Sequence, residues 1–381
     1  MSLVIPAGVF LLSQTSWPVS YMLSKQNLMG NQAYVFLAGV ICLLLSMLGP
    51  AILLRRQIKN VEPLMYVLGV FCWTCMIDLG IGLELDHYIS NFIGFYLAEG
   101  EPYLRTAHGT VINYWDGTTH FGLYLIILTL YSQRKSYREC ALFWVGSILN
   151  SMVVLLPGGI AGNHPFKLSI LLNTPYILVP LFAGFKLIHE HPVQARSFIK
   201  FKPLWQRPLD LFFFLFFIAA ICISIFRGLT LLNGNAVLMT DYLKHVEPYM
   251  KDLSSFPKFQ ILAYGYFYLV YYFAAAFGLL FPGKHWMADW SLIHAGAAAQ
   301  AQVTYIWGSL HHRTPGPLHP PLEGTSAVVF WSINLSLLII PLLFAVRCLQ
   351  DVESFGRTFT VYPSKYETLE RNASEKSKKL K

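Results

Sequence analysis

Residues 34–54 read YVFLAGVICLLLSMLGPAILL and run directly into Arg55 and Arg56. A hydrocarbon core about 30 Å thick takes about 20 apolar residues of helix, so this stretch spells a membrane-spanning helix ending in a basic collar. The same pattern recurs on both sides of it. Stretches at 4–23, 63–85, 110–131, 140–161, 167–188, 209–233, 258–282, 287–310 and 326–346 are each apolar and long enough to cross. Composition agrees. Of 381 residues, 55% are apolar and only 13% charged, against roughly 25% charged in a soluble domain. A 15% aromatic content also excludes a disordered chain. The fold class expected is an all-α polytopic membrane protein with about ten transmembrane helices. No Lys or Arg precedes the first stretch, so a cleaved signal peptide is not expected.

The net charge of +8 is placed as in membrane proteins rather than as in nucleic-acid binders. Arg55, Arg56 and Lys59 occupy one loop; Arg134, Lys135 and Arg138 another; Arg196, Lys200, Lys202 and Arg207 a third. Arg347, Arg357, Lys365, Arg371, Lys376, Lys378, Lys379 and Lys381 follow the last stretch. All fall on one face, which the positive-inside rule makes cytosolic, together with both termini. The sequon Asn372-Ala-Ser374 then lies on the unglycosylated side. Cys42, Cys72, Cys75, Cys140, Cys222 and Cys348 sit mostly in or beside apolar runs and read as packing residues, not as a disulfide or metal set.

The chain repeats itself. Glu101-Pro-Tyr-Leu-Arg105 returns as Glu247-Pro-Tyr-Met-Lys251, and Asn173 with Pro180 returns as Asn334 with Pro341. Two anchors in one order predict two parallel four-helix repeats related by an axis along the membrane normal. The divisions are two leading helices over 1–60, a first repeat over 61–190, a second over 209–350, and a polar, disordered basic tail over 351–381.

Ionisable groups inside spans are expensive and mark sites by default. Asn113, Asp116 and His120 fall at i, i+3 and i+7 on the fourth span. Asp78 and Thr74 lie one turn apart on the third. Ser147, Asn150 and Ser151 stripe the fifth, and Asn173 and Tyr176 mark the sixth. Converging, these stripes make a pocket; separately, they make interhelical hydrogen bonds. Desolvation favours the protonated form of Asp78 or Asp116, which suits acid–base work. The second repeat carries Arg227 near the place of Asp78 and Ala263-Tyr264 near that of Asp116, with His294, Gln300 and Gln302 still polar. No phosphate loop, metal-ligand spacing or Ser-His-Asp pattern appears, no cofactor is expected, and His311-His312 reads as loop.

Glu99-Gly-Glu-Pro-Tyr-Leu-Arg-Thr-Ala-His-Gly109, Tyr114-Trp-Asp-Gly-Thr118 with His120, Trp144-Val-Gly-Ser147 and Ala299-Gln-Ala-Gln302 resemble the transmembrane 6 superfamily. Those proteins carry two EXPERA modules, shared with the emopamil-binding sterol isomerase and the sigma-2 receptor. The resemblance implies that Asp78, Glu101 and Asp116 correspond to the module's acids, and Asn173, Tyr176 and Pro180 to its Asn, aromatic and Pro. Taken with the polar stripes, the expected pocket comprises Thr74, Asp78, Glu101, Asn113, Asp116, His120, Asn150, Asn173 and Tyr176. An isomerase would use Asp78, Asp116, Glu101 and His120 as acid–base groups, with Tyr176 facing a carbocation. The isomerase has a His where this chain has Thr74, and a Trp where it has Tyr176.

The function expected is binding of a sterol or other lipid in lipid homeostasis, which needs only the pocket. Sterol Δ8–Δ7 isomerisation is the alternative and a lipid transporter the third. Expected partners are the lipid and coat or sorting receptors for the tail, with a homo-oligomer left open and nucleic acid excluded. Lys378-Lys379 resembles a dilysine signal for the endoplasmic reticulum, and Tyr366-Glu-Thr-Leu369 an endolysosomal one.

Overall fold

The structure is a computed structural model that describes residues 3–25, 31–163, 165–197, 201–232, 234 and 236–361. Lys200, Lys365, the sequon, both sorting motifs and the basic residues from Arg371 to Lys381 lie outside the described residues.

Each of the ten apolar stretches is helical. They are α1 (4–24), α2 (Gln32–Gln57), α3 (Pro63–Leu85), α4 (107–132), α5 (Arg138–Ala161), α6 (Leu168–His189), α7 (Pro208–Leu231), α8 (Phe256–Leu280), α9 (Met287–Leu310) and α10 (Gly324–Gln350). Among the described residues seven of them, all but α1, α4 and α9, are long and apolar enough to cross a membrane. The chain is a polytopic all-α membrane protein.

Local chemistry sets the interruptions. Pro18 has no N–H to donate and its ring crowds the Gln14 carbonyl, so α1 divides into Val4–Ser13 and Ser16–Ser24. Pro50 does the same to α2 at Met47. Pro63 and Pro208 sit in the first turns of α3 and α7, where the missing N–H has no intrahelical partner to lose. Thr106 caps α4 by accepting from the Gly109 amide. Both α4 and α8 contain one π turn, at Asp116–His120 and Tyr264–Tyr268; such turns gather at functional positions.

The two Glu-Pro-Tyr segments fold alike, into 3₁₀ turns at Pro102–Arg105 and Pro248–Lys251. In each unit the later Asn reaches the Glu of that segment. Asn173 Nδ2 donates to Glu101 Oε1 at 2.5 Å, and Asn334 Nδ2 to Glu247 Oε1 at 3.0 Å.

The units meet along α5 and α9. Gly146 lies against the Ile293 carbonyl and Gly296 against the Phe143 carbonyl, contacts so close that a Cβ on either glycine would collide with backbone. The two contacts are reciprocal. Arg138, counted from sequence with a basic loop cluster, is buried and pairs with Asp289 at 2.7 Å, fixing the start of α5 to α9.

The stretch after α10 departs from the expected disordered tail. Val352–Phe355 is helical, and Thr358–Val361 (β2) pairs in parallel with Gln194–Ser197 (β1). Asp351 anchors that turn by accepting from the Ser354 amide and hydroxyl, at 3.1 and 2.9 Å.

Candidate functional site

The first unit holds a cleft with about 1170 Å³ of space unfilled by atoms, counting the part that opens outward. Its walls come from α1, α2, α3, α4, α5 and α6, with Phe95, Tyr96 and Glu101 closing one end. Eight of the nine residues expected from sequence line it: Thr74, Asp78, Glu101, Asn113, Asp116, His120, Asn173 and Tyr176.

Asn150 does not. It points the other way, donating to Gln300 Oε1 at 2.5 Å and Gln260 Oε1 at 3.1 Å and accepting from the Tyr268 hydroxyl at 2.6 Å. The fifth-span stripe therefore splits. Asn150 faces the seam between the units and Ser147 faces α4, because positions three apart on a helix differ by about 60° in direction.

Within the cleft the acids are held differently. Glu101 Oε1 accepts from the Tyr103 hydroxyl and Asn173 Nδ2, both at 2.5 Å. Burial pushes this loop carboxyl above its usual value, while those hydrogen bonds favour its charged form and oppose the shift. Asp116 Oδ1 lies 2.7 Å from His120 Nδ1. Asp78 has no hydrogen-bond partner among the described residues and faces the open space. Thr74 accepts from the Tyr176 hydroxyl at 2.5 Å, and the Tyr176 ring stacks on Phe71 at 4.4 Å. Asn113 donates back to its own helix at the Gly109 carbonyl, 2.7 Å away.

A Ser-His-Asp relay, invisible in the sequence, is assembled by the fold. His120 Nε2 is 2.7 Å from Ser147 Oγ, and Nδ1 faces Asp116. Ser147 is fully buried, also accepts from Trp115 Nε1 at 3.1 Å, and is absent from the cleft wall. The hydroxyl thus orients the imidazole and is not presented as a nucleophile, while His120 and Asp116 face the ligand space.

Sequence reasoning missed the apolar wall. Val35, Ala38, Gly39, Cys42 and Leu43 of α2 line one side, and little of α2 is buried. Gly39 abuts Leu172 at the start of α6, so α2 packs directly on α6 beside the cleft. The small pair Ala38-Gly39 was the available signal. Trp73, Tyr96 and Tyr124 also line the cleft, but nothing in sequence separates them from core aromatics.

In the second unit the Glu of the Glu-Pro-Tyr segment is paired with an arginine. Arg227 Nε donates to Glu247 Oε2 at 2.9 Å, Nη2 pairs with Oε1 of the same carboxylate, and Nη2 donates to Asn334 Oδ1 at 2.8 Å. Glu and Asn are shared with the first unit, and here a guanidinium is bonded to both.

The transmembrane domain described for transmembrane 6 superfamily member 2-like proteins matches residues 15–198. Transmembrane 6 superfamily member 2 of Mus musculus is 39% identical over 347 residues, covering 89% of this chain and 91% of the relative. The Rattus norvegicus protein of that name is 38% identical over 346 residues with the same coverage, 89% and 91%. The Homo sapiens one is 37% identical over 347 residues, again covering 89% and 91%. No solved structure matches the chain.

Proposed function

We propose that this chain, which belongs to the transmembrane 6 superfamily, binds a sterol or another lipid in the first-unit cleft and serves lipid homeostasis. The observation that carries the reading is one cleft with a mostly apolar wall and a polar cluster at Asp78, Glu101, Asp116, His120 and Asn173, the make-up of a small-molecule site. An apolar ring system would lie against Ile81, Ile112, Ile148 and Met152, with its polar end among the carboxyl groups. Basic loops on the cytosolic face and residence in the endoplasmic reticulum complete the reading.

A second reading rests on a specific observation. His120, paired with Asp116 at 2.7 Å, faces the cleft that Asp78 also faces, which supports a proton shuttle despite Thr74 standing where the isomerase has His. In that reaction a proton is added at one end of a sterol double bond and another is removed beside the resulting cation. Atoms balance without a co-reactant, and Tyr176 offers a ring to the positive charge.

One experiment separates the readings. Purified protein in lipid nanodiscs is given a labelled Δ8 sterol beside an Asp116→Asn variant. Intact sterol retained by the native chain and released by the variant supports binding. Conversion to the Δ7 isomer, lost in the variant, supports the isomerase. Neither retention nor conversion refutes both.

A further inference from the structure

We propose that Asp86, His311 and His312 form a binding site for a divalent transition-metal ion, zinc by preference, which ties the end of α3 to the end of α9. The residues lie far apart in sequence and meet only through the fold. Asp86 directly follows α3, and the two histidines directly follow α9.

His311 Nε2 is 3.3 Å from Asp86 Oδ1 and 3.4 Å from Oδ2, and His312 Nε2 is 3.7 Å from Oδ1. One donor atom from each residue falls within 4.8 Å of the others. The imidazoles lie side by side with centroids 4.3 Å apart, so both Nε2 atoms address the same carboxylate. Zinc bonds of about 2.0–2.2 Å set tetrahedral ligand atoms roughly 3.5 Å apart, so closing the site takes side-chain shifts below about an ångström. Two imidazoles and a carboxylate suit zinc better than calcium or magnesium, which prefer oxygen alone.

The surroundings argue for a ligand rather than a self-sufficient ion pair. Asp86 Oδ1, the oxygen turned toward both histidines, is buried and takes no hydrogen bond. Oδ2 accepts from the Tyr114 hydroxyl at 3.0 Å, which orients the carboxylate from behind, as outer partners of metal ligands do. Tyr114 in turn stacks on Trp307, one turn before the end of α9. His312 is 60% exposed, leaving a further coordination position open to water.

Two features work against the ion and provide its test. The Arg313 amide donates to His311 Nδ1 at 3.3 Å; coordination through Nε2 puts the ring proton on Nδ1 and gives up that contact. The Arg313 side chain, bonded to the Leu85 carbonyl, brings its Nε to 3.8 Å from Asp86 Oδ1, so a positive charge competes for the carboxylate. Removing that charge must tighten metal binding.

The test uses the full chain in nanodiscs, stripped with EDTA and titrated with zinc chloride against a chromophoric chelator. The expected result is one zinc per chain at the competed site, weakened about tenfold or more in His312→Ala and tightened in Arg313→Gln. His312 is exposed, so its variant keeps the native thermal midpoint without metal. Zinc affinity unchanged in both His312→Ala and Asp86→Asn would overturn the proposal by placing the ion elsewhere. Failure of the native chain to compete with the chelator would overturn it equally.

Discussion

Replacing Arg227 with methionine tests how much the buried cation stabilises the second unit. The guanidinium is 1% exposed and Glu247 is fully buried, so the substitution leaves a buried carboxylate with only neutral donors, Asn334 and the Tyr242 hydroxyl, beside it. Removing one member of a buried pair costs about 3–5 kcal/mol, because the surviving charge is uncompensated. The membrane-embedded unfolded state also offers partners, which favours the lower end, about 3 kcal/mol. That is roughly a hundredfold or more in the unfolding constant. The double variant Arg227→Met/Glu247→Gln removes both charges and is expected within about 1 kcal/mol of the native chain, since a neutral replacement of a buried pair is often harmless. The assay is unfolding in mixed micelles titrated with dodecyl sulfate and followed by tryptophan fluorescence. A single variant as stable as the native chain, or a double variant showing the sum of the two single losses, would refute the reasoning.

Gly146→Leu should cost at least about 1–3 kcal/mol, because its side chain meets the Ile293 backbone carbonyl, which cannot rotate away; Gly122→Ala has no neighbour within 4 Å and should raise the midpoint slightly in the same assay. Asn150→Leu should lower stability by about 1–3 kcal/mol through the unpaired Gln300, Gln260 and Tyr268 groups, yet leave sterol retention intact; loss of retention in the folded variant would return Asn150 to the cleft. Burial works to raise the Asp351 carboxyl, but Ser354 and Arg347 outweigh it and hold it below its usual value. Its contribution is therefore present above the unfolded value near 3.8 and lost as pH falls through the lower folded value. Protection of the β2 amides in hydrogen exchange should drop over that acid range in the native chain and stay flat, at the lower level, in Asp351→Asn.

The apolar stretches needed no tertiary information, because a helix that must satisfy its backbone in hydrocarbon announces itself in about 20 residues. The interruptions at Pro18 and Pro50 were only half legible, because a proline marks a candidate break while Pro157, Pro180 and Pro341 stand inside unbroken helices. The π turn of Asp116–His120 was not legible, since an inserted residue is stabilised by what packs around it and leaves no mark on the pattern. Glu101 and Asn173, 72 residues apart, were singled out from their recurrence as Glu247 and Asn334, although recurrence gave no hint that each Asn would donate to its Glu.

Direction is what the sequence withheld. Helical spacing puts Ser147 and Asn150 on one broad polar stripe, but neighbours on two sides turned one toward His120 and the other toward Gln300. The same limit hid the Ser147–His120–Asp116 relay, the buried role of Arg138, and the meeting of Asp86 with His311 and His312 across 225 residues. Sequence by itself determined that the chain spans a membrane as helices and which polar side chains its spans carry, because transfer of each residue from water to hydrocarbon is a local quantity. Only the tertiary structure decided which of those side chains share a cavity, because close packing of α5 against α9 fixes the rotation of every helix that touches them.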